Sequence, residues 1–409
     1  MAATEQTDKW VDLYADRVET MRSSAVRDLF EAASKPDIIS LSGGMPDIRC
    51  LPWDEVAKVA SNAILEEGVA GLQYGDTQGR VQTKEVICND LMKDWDVFVT
   101  PDDLTVTTGA QQALDLIGKT FINPGDIIIT EAPTYVGALQ AFSAYQPDNH
   151  VIPLDDDGMR MDLLEAELKK IGKRGAKFIY TIPTFHNPGG VTMSLERRHR
   201  LLELAHEYDI MVIEDDPYGR LRFEGEDLPV LRSLDDQVLY LGTVSKVFAP
   251  GLRTGWVIAP LPIRNKINLV KQGSDLCGSA LCQIMVEHYF NSIDWRSVMK
   301  VVNGKYLERR NAMLEAMEEF FPPEATWTRP QGGFFLWATL PESIDTDQML
   351  AAALEQGVVF VPGVGCYPPA ASDQGKNKMR LAFCYEETET IREGIRRLAG
   401  VIKDQMAKQ

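Results

Sequence analysis

The sequence predicts an α/β protein: a large, doubly wound, mostly parallel sheet followed by a smaller α+β part. Three observations carry that expectation. Between residues 100 and 260, short apolar runs alternate with helical stretches, the pattern of a parallel sheet with crossover helices. Several of those runs are apolar or β-branched throughout, as strands covered on both faces should be. From about residue 296 the strict alternation stops, which suits a separate α+β unit.

The chain divides into an arm over 1–45, a large unit over 46–295 and a small one over 296–409. In the arm, Trp10 to Leu13 and Ala25 to Ala33 read as short helices, with Ser23 or Ser24 able to cap the second. Ile38 to Leu41 reads as a brief strand entering Ser42-Gly43-Gly44-Met45-Pro46. Paired glycines there suit close approach of a ligand or of another chain segment, or simply a turn. Val56 to Glu67 is an amphipathic helix, and Tyr74 follows in a glycine-punctuated loop. Six strands are expected, at Leu104 to Thr108, Asp126 to Thr130, Lys177 to Ile182, Ile210 to Glu214, Val238 to Thr243 and Gly255 to Ala259. Helices are expected from Gln111 to Phe121 and from Leu195 to Tyr208, the latter with Leu201, Leu204, Ala205 and Tyr208 on one stripe. Beyond them come a long helix from Ser297 to Phe320, a strand from Val358 to Val361, and an alternating run from Met379 to Phe383. That alternation sets Arg380 opposite Met379, Leu381 and Phe383. A last helix carries Ile391, Ile395, Leu398 and Ile402 on one stripe.

A net charge of −18 argues against nucleic acid or an anionic membrane surface as partner. No apolar run approaches the roughly 20 residues of a membrane span. The N-terminus has no basic segment followed by an apolar one, so no secretion signal is expected. The six cysteines form no CxxC pair and the five histidines no ligand spacing. A reduced, cytoplasmic protein without a metal site is expected.

The chemistry-bearing residues fall just past predicted strand ends, where open α/β sheets bind ligands. Thr108-Gly109-Ala110-Gln111-Gln112 opens a helix whose free N–H groups suit a phosphate. Gly118-Lys119-Thr120 lies inside that helix, with Ala113 where a nucleotide-binding loop needs glycine, so that reading fails. Tyr135 follows the next strand, then Asn187 in Asn187-Pro188-Gly189-Gly190, then Asp215 in Glu214-Asp215-Asp216-Pro217-Tyr218. An ionised acid at an apolar strand end wants a cationic partner. Lys246 follows Thr243 and Ser245, and Arg253 comes seven residues later, past Pro250-Gly251. A partly dry lysine there has a lowered pKa and a free amine for attack on a carbonyl. These parts match pyridoxal 5′-phosphate: a lysine for its aldehyde, an acid for its ring nitrogen, donors for its phenolic oxygen, an aromatic plate, and a helix start with arginine for its phosphate.

With Asn187-Pro188-x-Gly190, Asp215-x-x-Tyr218 and Ser245-Lys246 before Pro250-Gly251-Leu252-Arg253-x-Gly255, the chain resembles the fold-type I pyridoxal-phosphate aminotransferases. Within these it looks most like the 2-aminoadipate, kynurenine and aromatic aminotransferase branch. The resemblance implies the aspartate aminotransferase-like fold and transfer of an amino group from an L-amino acid to a 2-oxo acid, with 2-oxoglutarate as the expected acceptor. It implies that Lys246 is the Schiff-base lysine and shuttles the proton, that Asp215 pairs with the ring nitrogen, and that Tyr218 and Asn187 bond the phenolic oxygen. Tyr135 would stack on the ring, while Gly109, Ala110, Gln111, Thr243, Ser245 and Arg253 would hold the phosphate. Arg380, with Asn187 and Gly43, would take the substrate carboxylate, and Arg27 matches a mobile arginine for side-chain carboxylates. Family members are homodimers with shared active sites, and Tyr74 matches the tyrosine lent to the neighbouring copy. Ala110 departs from branches that carry a hydroxyl in the phosphate turn, which leaves more to Gln111 and the backbone. The same fold and cofactor also serve β-lyases and decarboxylases. They serve as well some regulators with a DNA-binding head, for which the arm shows no helix-turn-helix.

Overall fold

In a computed structural model, the structure describes residues 8–21 and 37–408. The expected helix from Ala25 to Ala33, with Arg27, lies outside the described residues. Fourteen strands are described. They are β1 (Ile39–Ser40), β2 (Leu104–Thr108), β3 (Ile127–Ala132), β4 (Asp148–Asp155), β5 (Gly158–Met159), β6 (Phe178–Thr181), β7 (Met211–Asp215), β8 (Leu239–Thr243) and β9 (Thr254–Ile258), then β10 (Thr326–Trp327), β11 (Phe335–Thr339), β12 (Val358–Val359), β13 (Val361–Pro362) and β14 (Lys378–Ala382).

Eight strands form one sheet in the order β2-β9-β8-β7-β6-β3-β4-β5. β3, β4, β6, β7 and β8 run parallel, while β9 is antiparallel to both of its neighbours and β5 is antiparallel to β4. Successive side chains on each strand point to opposite faces, and the two faces feed separate cores. Ile128, Phe178, Tyr180 and Ile213 face one cluster, while Ile129, Ile179 and Val212 face the other. Both faces are therefore covered, which explains the unbroken apolar runs.

The expected helix from Gln111 begins two residues earlier, spanning Gly109–Phe121. The helix Leu195–Tyr208 has the predicted bounds. Ser194 caps it, its hydroxyl accepting from the Arg197 N–H, and Asp209 ends it in the left-handed conformation at φ 54°. β4 and β5 were not expected. β4 carries Asp148, Asn149, His150 and Pro153, a polar run with a proline near the sheet edge that hides its strand character.

The second sheet is antiparallel, in the order β10-β11-β14-β13, and β1 pairs with β12 in a separate parallel pair. The expected strand from Val358 to Val361 is thus split, its halves pairing with different strands. The long helix spans Trp295–Phe320, capped by Asp294, which accepts from the Ser297 N–H. The last helix, Thr388–Met406, buries Ile391, Ile395, Leu398 and Ile402 as its stripe predicts. Among the described residues no helix is long and apolar enough to cross a membrane, and no His, Cys, Asp or Glu cluster is suited to a metal ion. All six cysteines are free.

Candidate active site

The site lies along one edge of the eight-stranded sheet, and topology explains why. The parallel strands all end on that edge, so the residues just past their ends gather there. Asp215 closes β7, Lys246 comes after β8, Asn187 after β6, Tyr135 after β3, and Gly109 after β2. Because β9 runs the other way, its start lies on the same edge, with Thr254 opposite Thr108 and Gly255 opposite Thr243. Arg253, just before β9, therefore joins them.

A cavity of about 150 Å³ lies among Ala110, Gln111, Tyr135, Asn187, Asp215, Tyr218, Thr243, Ser245, Lys246 and Arg253. A larger hollow, about 1110 Å³, lies around Tyr74 and Arg80 and contains neither Lys246 nor Asp215. The smaller one gathers the reactive groups, and it is the candidate site.

The Lys246 ammonium donates to the Gly44 carbonyl at 2.9 Å and sits 5.3 Å from the centre of the Phe334 ring. Burial pushes its pKa down to about 8, with Arg380 and Arg253 also disfavouring the charge and Cys384 opposing them. A fraction of the amine is thus free at neutral pH. Asp215 is 2% exposed. Its Oδ2 accepts from the Tyr180 hydroxyl at 2.7 Å, while its Oδ1 is buried without a hydrogen-bond partner among the described residues. Burial raises its pKa to about 7 against the Tyr180 bond, and Asp216 and Glu131 add to the rise. The Asn187 amide donates to the Tyr218 hydroxyl at 3.1 Å, and its Oδ1 accepts from Arg380 at 3.0 Å. Arg380 also donates to the Ser42 carbonyl at 2.7 Å and lies over the Phe335 ring at 4.2 Å. Its Nε is buried without a partner among the described residues.

At the other end, the Thr243 and Ser245 hydroxyls lie 2.8 Å apart, and the Ser245 N–H donates to the Thr243 oxygen. Arg253 takes a left-handed backbone at φ 49°. Gly109 has φ +72°, and a Cβ there would lie 2.1 Å from an Arg253 nitrogen; only glycine admits both the turn and the arginine. The Gln111 amide donates to the Gly137 carbonyl at 2.7 Å, and the Tyr135 hydroxyl lies 3.4 Å from Gln111 Oε1. Gly43 accepts from the Cys384 thiol. Tyr74 stands apart, 80% exposed, and Arg27 lies outside the described residues.

Sequence reasoning missed Tyr180, Ser42 and Phe335, and at Gly44 it saw the close approach but not the carbonyl that meets Lys246. Tyr180 sits in an apolar strand, where a buried phenol wants a polar partner; that signal was available. The glycine pair signals a close approach, but which groups the two carbonyls and Phe335 meet is set by chain crossings and has no local signal. A Cβ on Gly44 would meet the Phe335 ring at 2.6 Å.

These groups fit pyridoxal 5′-phosphate. The orphaned Asp215 oxygen suits a protonated ring nitrogen, the Lys246 amine an aldehyde carbon, and the helix start beside Arg253 a phosphate. The chain is 44% identical to aromatic-amino-acid aminotransferase 1 of Thermococcus litoralis, over 97% of this chain and 95% of that protein. Its structure resembles that of the Pyrococcus horikoshii kynurenine aminotransferase in complex with PMP, at a TM-score of 0.92 and 42% identity, covering 97% and 98% of the two chains. It also resembles the α-aminoadipate aminotransferase of Thermus thermophilus complexed with N-(5′-phosphopyridoxyl)-L-leucine, at a TM-score of 0.90 and 34% identity, covering 98% and 100%. Residues 36–398 match the aminotransferase class I and II family, and the chain belongs to that family.

Proposed function

We propose that this pyridoxal-phosphate aminotransferase moves the amino group of aromatic, aliphatic or 2-aminoadipate-like L-amino acids to 2-oxoglutarate in two alternating half-reactions. One observation carries the residue assignment: a desolvated amine, Lys246, shares a 150 Å³ cavity with a buried acid, Asp215, that has one oxygen unengaged. When bound, the cofactor supplies an electrophilic carbon for an amine and a ring that absorbs the electron pair left at the substrate Cα. Lys246 would hold the cofactor, then take the Cα proton and return it at the cofactor's C4′ carbon, two bonds away. Asp215 keeps the ring nitrogen protonated. Tyr218 and Asn187 hold the phenolic oxygen, and Tyr135 covers the ring face. Gly109, Ala110, Gln111, Thr243, Ser245 and Arg253 hold the phosphate. Arg380 binds the substrate carboxylate, with Asn187 orienting it and the Gly43 backbone beside it. Arg27 serves side-chain carboxylates.

We take residues 46–295 as the cofactor-binding unit and 296–409, joined by the arm, as the smaller one; the pairing of β1 with β12 supports that division. We also infer a homodimer in which Tyr74 reaches the neighbouring copy's cavity. Exposed Leu65, Val69, Leu72 and Tyr74 around the large hollow support a partner over that face. Free thiols support a cytoplasmic setting.

A panel of amino acids assayed with 2-oxoglutarate, on wild type and Arg380→Ala, tests the reading. Wild type should turn over aromatic, aliphatic and dicarboxylic donors. The variant should lose kcat/KM by on the order of 10²–10³ for every one of them, since all present the same carboxylate to the guanidinium. A loss confined to one donor would assign Arg380 to a side chain instead.

A further inference from the structure

We infer that Tyr180 is a positioning residue for the cofactor's ring nitrogen: its phenol engages Oδ2 of Asp215 and leaves Oδ1 as the one acceptor turned over to the ring N–H. The inference rests on the pyridoxal-phosphate reading above and concerns where the shared proton sits.

Two neighbouring acids make the contrast. Asp216 has both oxygens engaged, Oδ2 by the Tyr240 hydroxyl at 2.8 Å and Oδ1 by the Gly219 N–H at 2.9 Å. Asp215 receives the same kind of bond from Tyr180 at 2.7 Å, but its second oxygen is left buried and unpaired among the described residues. An orphaned buried oxygen is costly unless a ligand meets it. Tyr180 is fully buried. Phe142 holds its ring edge-on, at 5.6 Å between centroids and 80° between planes, so the hydroxyl has little freedom to turn elsewhere.

The donor matters because the surroundings work against an ionised Asp215. Glu131 faces it from β3 and Asp216 follows it in the chain, both negative, while Tyr135 and Tyr218 flank it as neutral phenols. Among the groups around it, the Tyr180 bond is the one that favours the anion directly. Without it the balance moves toward a protonated Asp215. A carboxylic acid can donate to a ring nitrogen but cannot serve as its counter-ion. With it the balance moves toward a charged carboxylate and a proton on the ring.

The test uses empty protein and pyridoxamine 5′-phosphate, which forms no bond to Lys246, together with an analogue carrying C–H in place of the ring nitrogen. Wild-type affinity for pyridoxamine 5′-phosphate should fall as the pH drops through about 7, whereas affinity for the analogue should not. Tyr180→Phe should move that midpoint up by about one pH unit and weaken binding at pH 6 by about tenfold. The analogue should bind both proteins within about twofold. Tyr240→Phe removes an equally buried hydroxyl from Asp216 and should leave affinity and midpoint in place. Placing 3,5-difluorotyrosine at position 180, a stronger donor of the same shape, should move the midpoint down, and it decides the matter if Tyr180→Phe does not fold. An unmoved midpoint, or equal losses for both ligands, would overturn the inference alone. Wild-type protein that binds neither ligand would overturn the cofactor reading and the inference with it.

Discussion

Lys246→Ala lowers transamination by at least about 10⁴-fold and removes the near-ultraviolet/visible band of lysine-bound cofactor at neutral pH. Two roles fall on one amine, which explains the size of the effect. In the proposed mechanism it is both the covalent anchor and the base for the Cα proton. Burial lowers its pKa to about 8, so free amine is available at neutral pH and its fraction grows as the pH rises through 8. Alanine supplies neither role, and the buried Cys384 thiol nearby cannot replace it, since burial pushes that thiol up to about 12. Steady-state assays and an absorption spectrum check both parts. Turnover near the wild-type level would reject the assignment of Lys246.

Asp215→Asn lowers the rate of the amino-donor half-reaction by on the order of 10²–10³, equivalent to about 3–4 kcal/mol of transition-state stabilisation. The amide keeps the shape of the carboxylate and can still accept from Tyr180. It cannot balance a cationic ring, so the electron pair leaving Cα has a weaker sink. Because Lys246 is untouched, the visible band should persist, though shifted, and this separates the variant from Lys246→Ala. Single-turnover absorbance measurements with one amino acid give the rate directly. A loss smaller than about fivefold would place the ring's counter-charge elsewhere.

Much of this site was legible in the sequence because each strand of the large sheet announces its own end. The apolar runs before Asp215 and Lys246 are short and unbroken, and a charged residue just past such a run has one edge of the sheet to occupy. Strand bounds came out shifted by one or two residues, as at β3 and β9, since ladder hydrogen bonds, not residue character, decide where a strand ends. β4 escaped because its polar residues and Pro153 match no buried-strand pattern. The motifs also placed Arg380 in the site, but through resemblance. Periodicity gave only the face of β14 on which it lies. Its meeting with Asn187, 193 residues away, joins β14 to the loop after β6, which no local pattern encodes. The Ser42 and Gly44 carbonyls were illegible for the same reason. Tyr180 is harder to read, because a phenol in an apolar run looks like core until its partner is known.

Borohydride reduction of the cofactor-loaded protein, with proteolysis and mass mapping afterwards, tests the central claim most directly. Reduction fixes the cofactor to the amine that carries it. The phosphopyridoxyl mass should appear on the peptide containing Lys246 and on no other. A mark on a different lysine, or a loaded protein that takes no mark, would contradict the account.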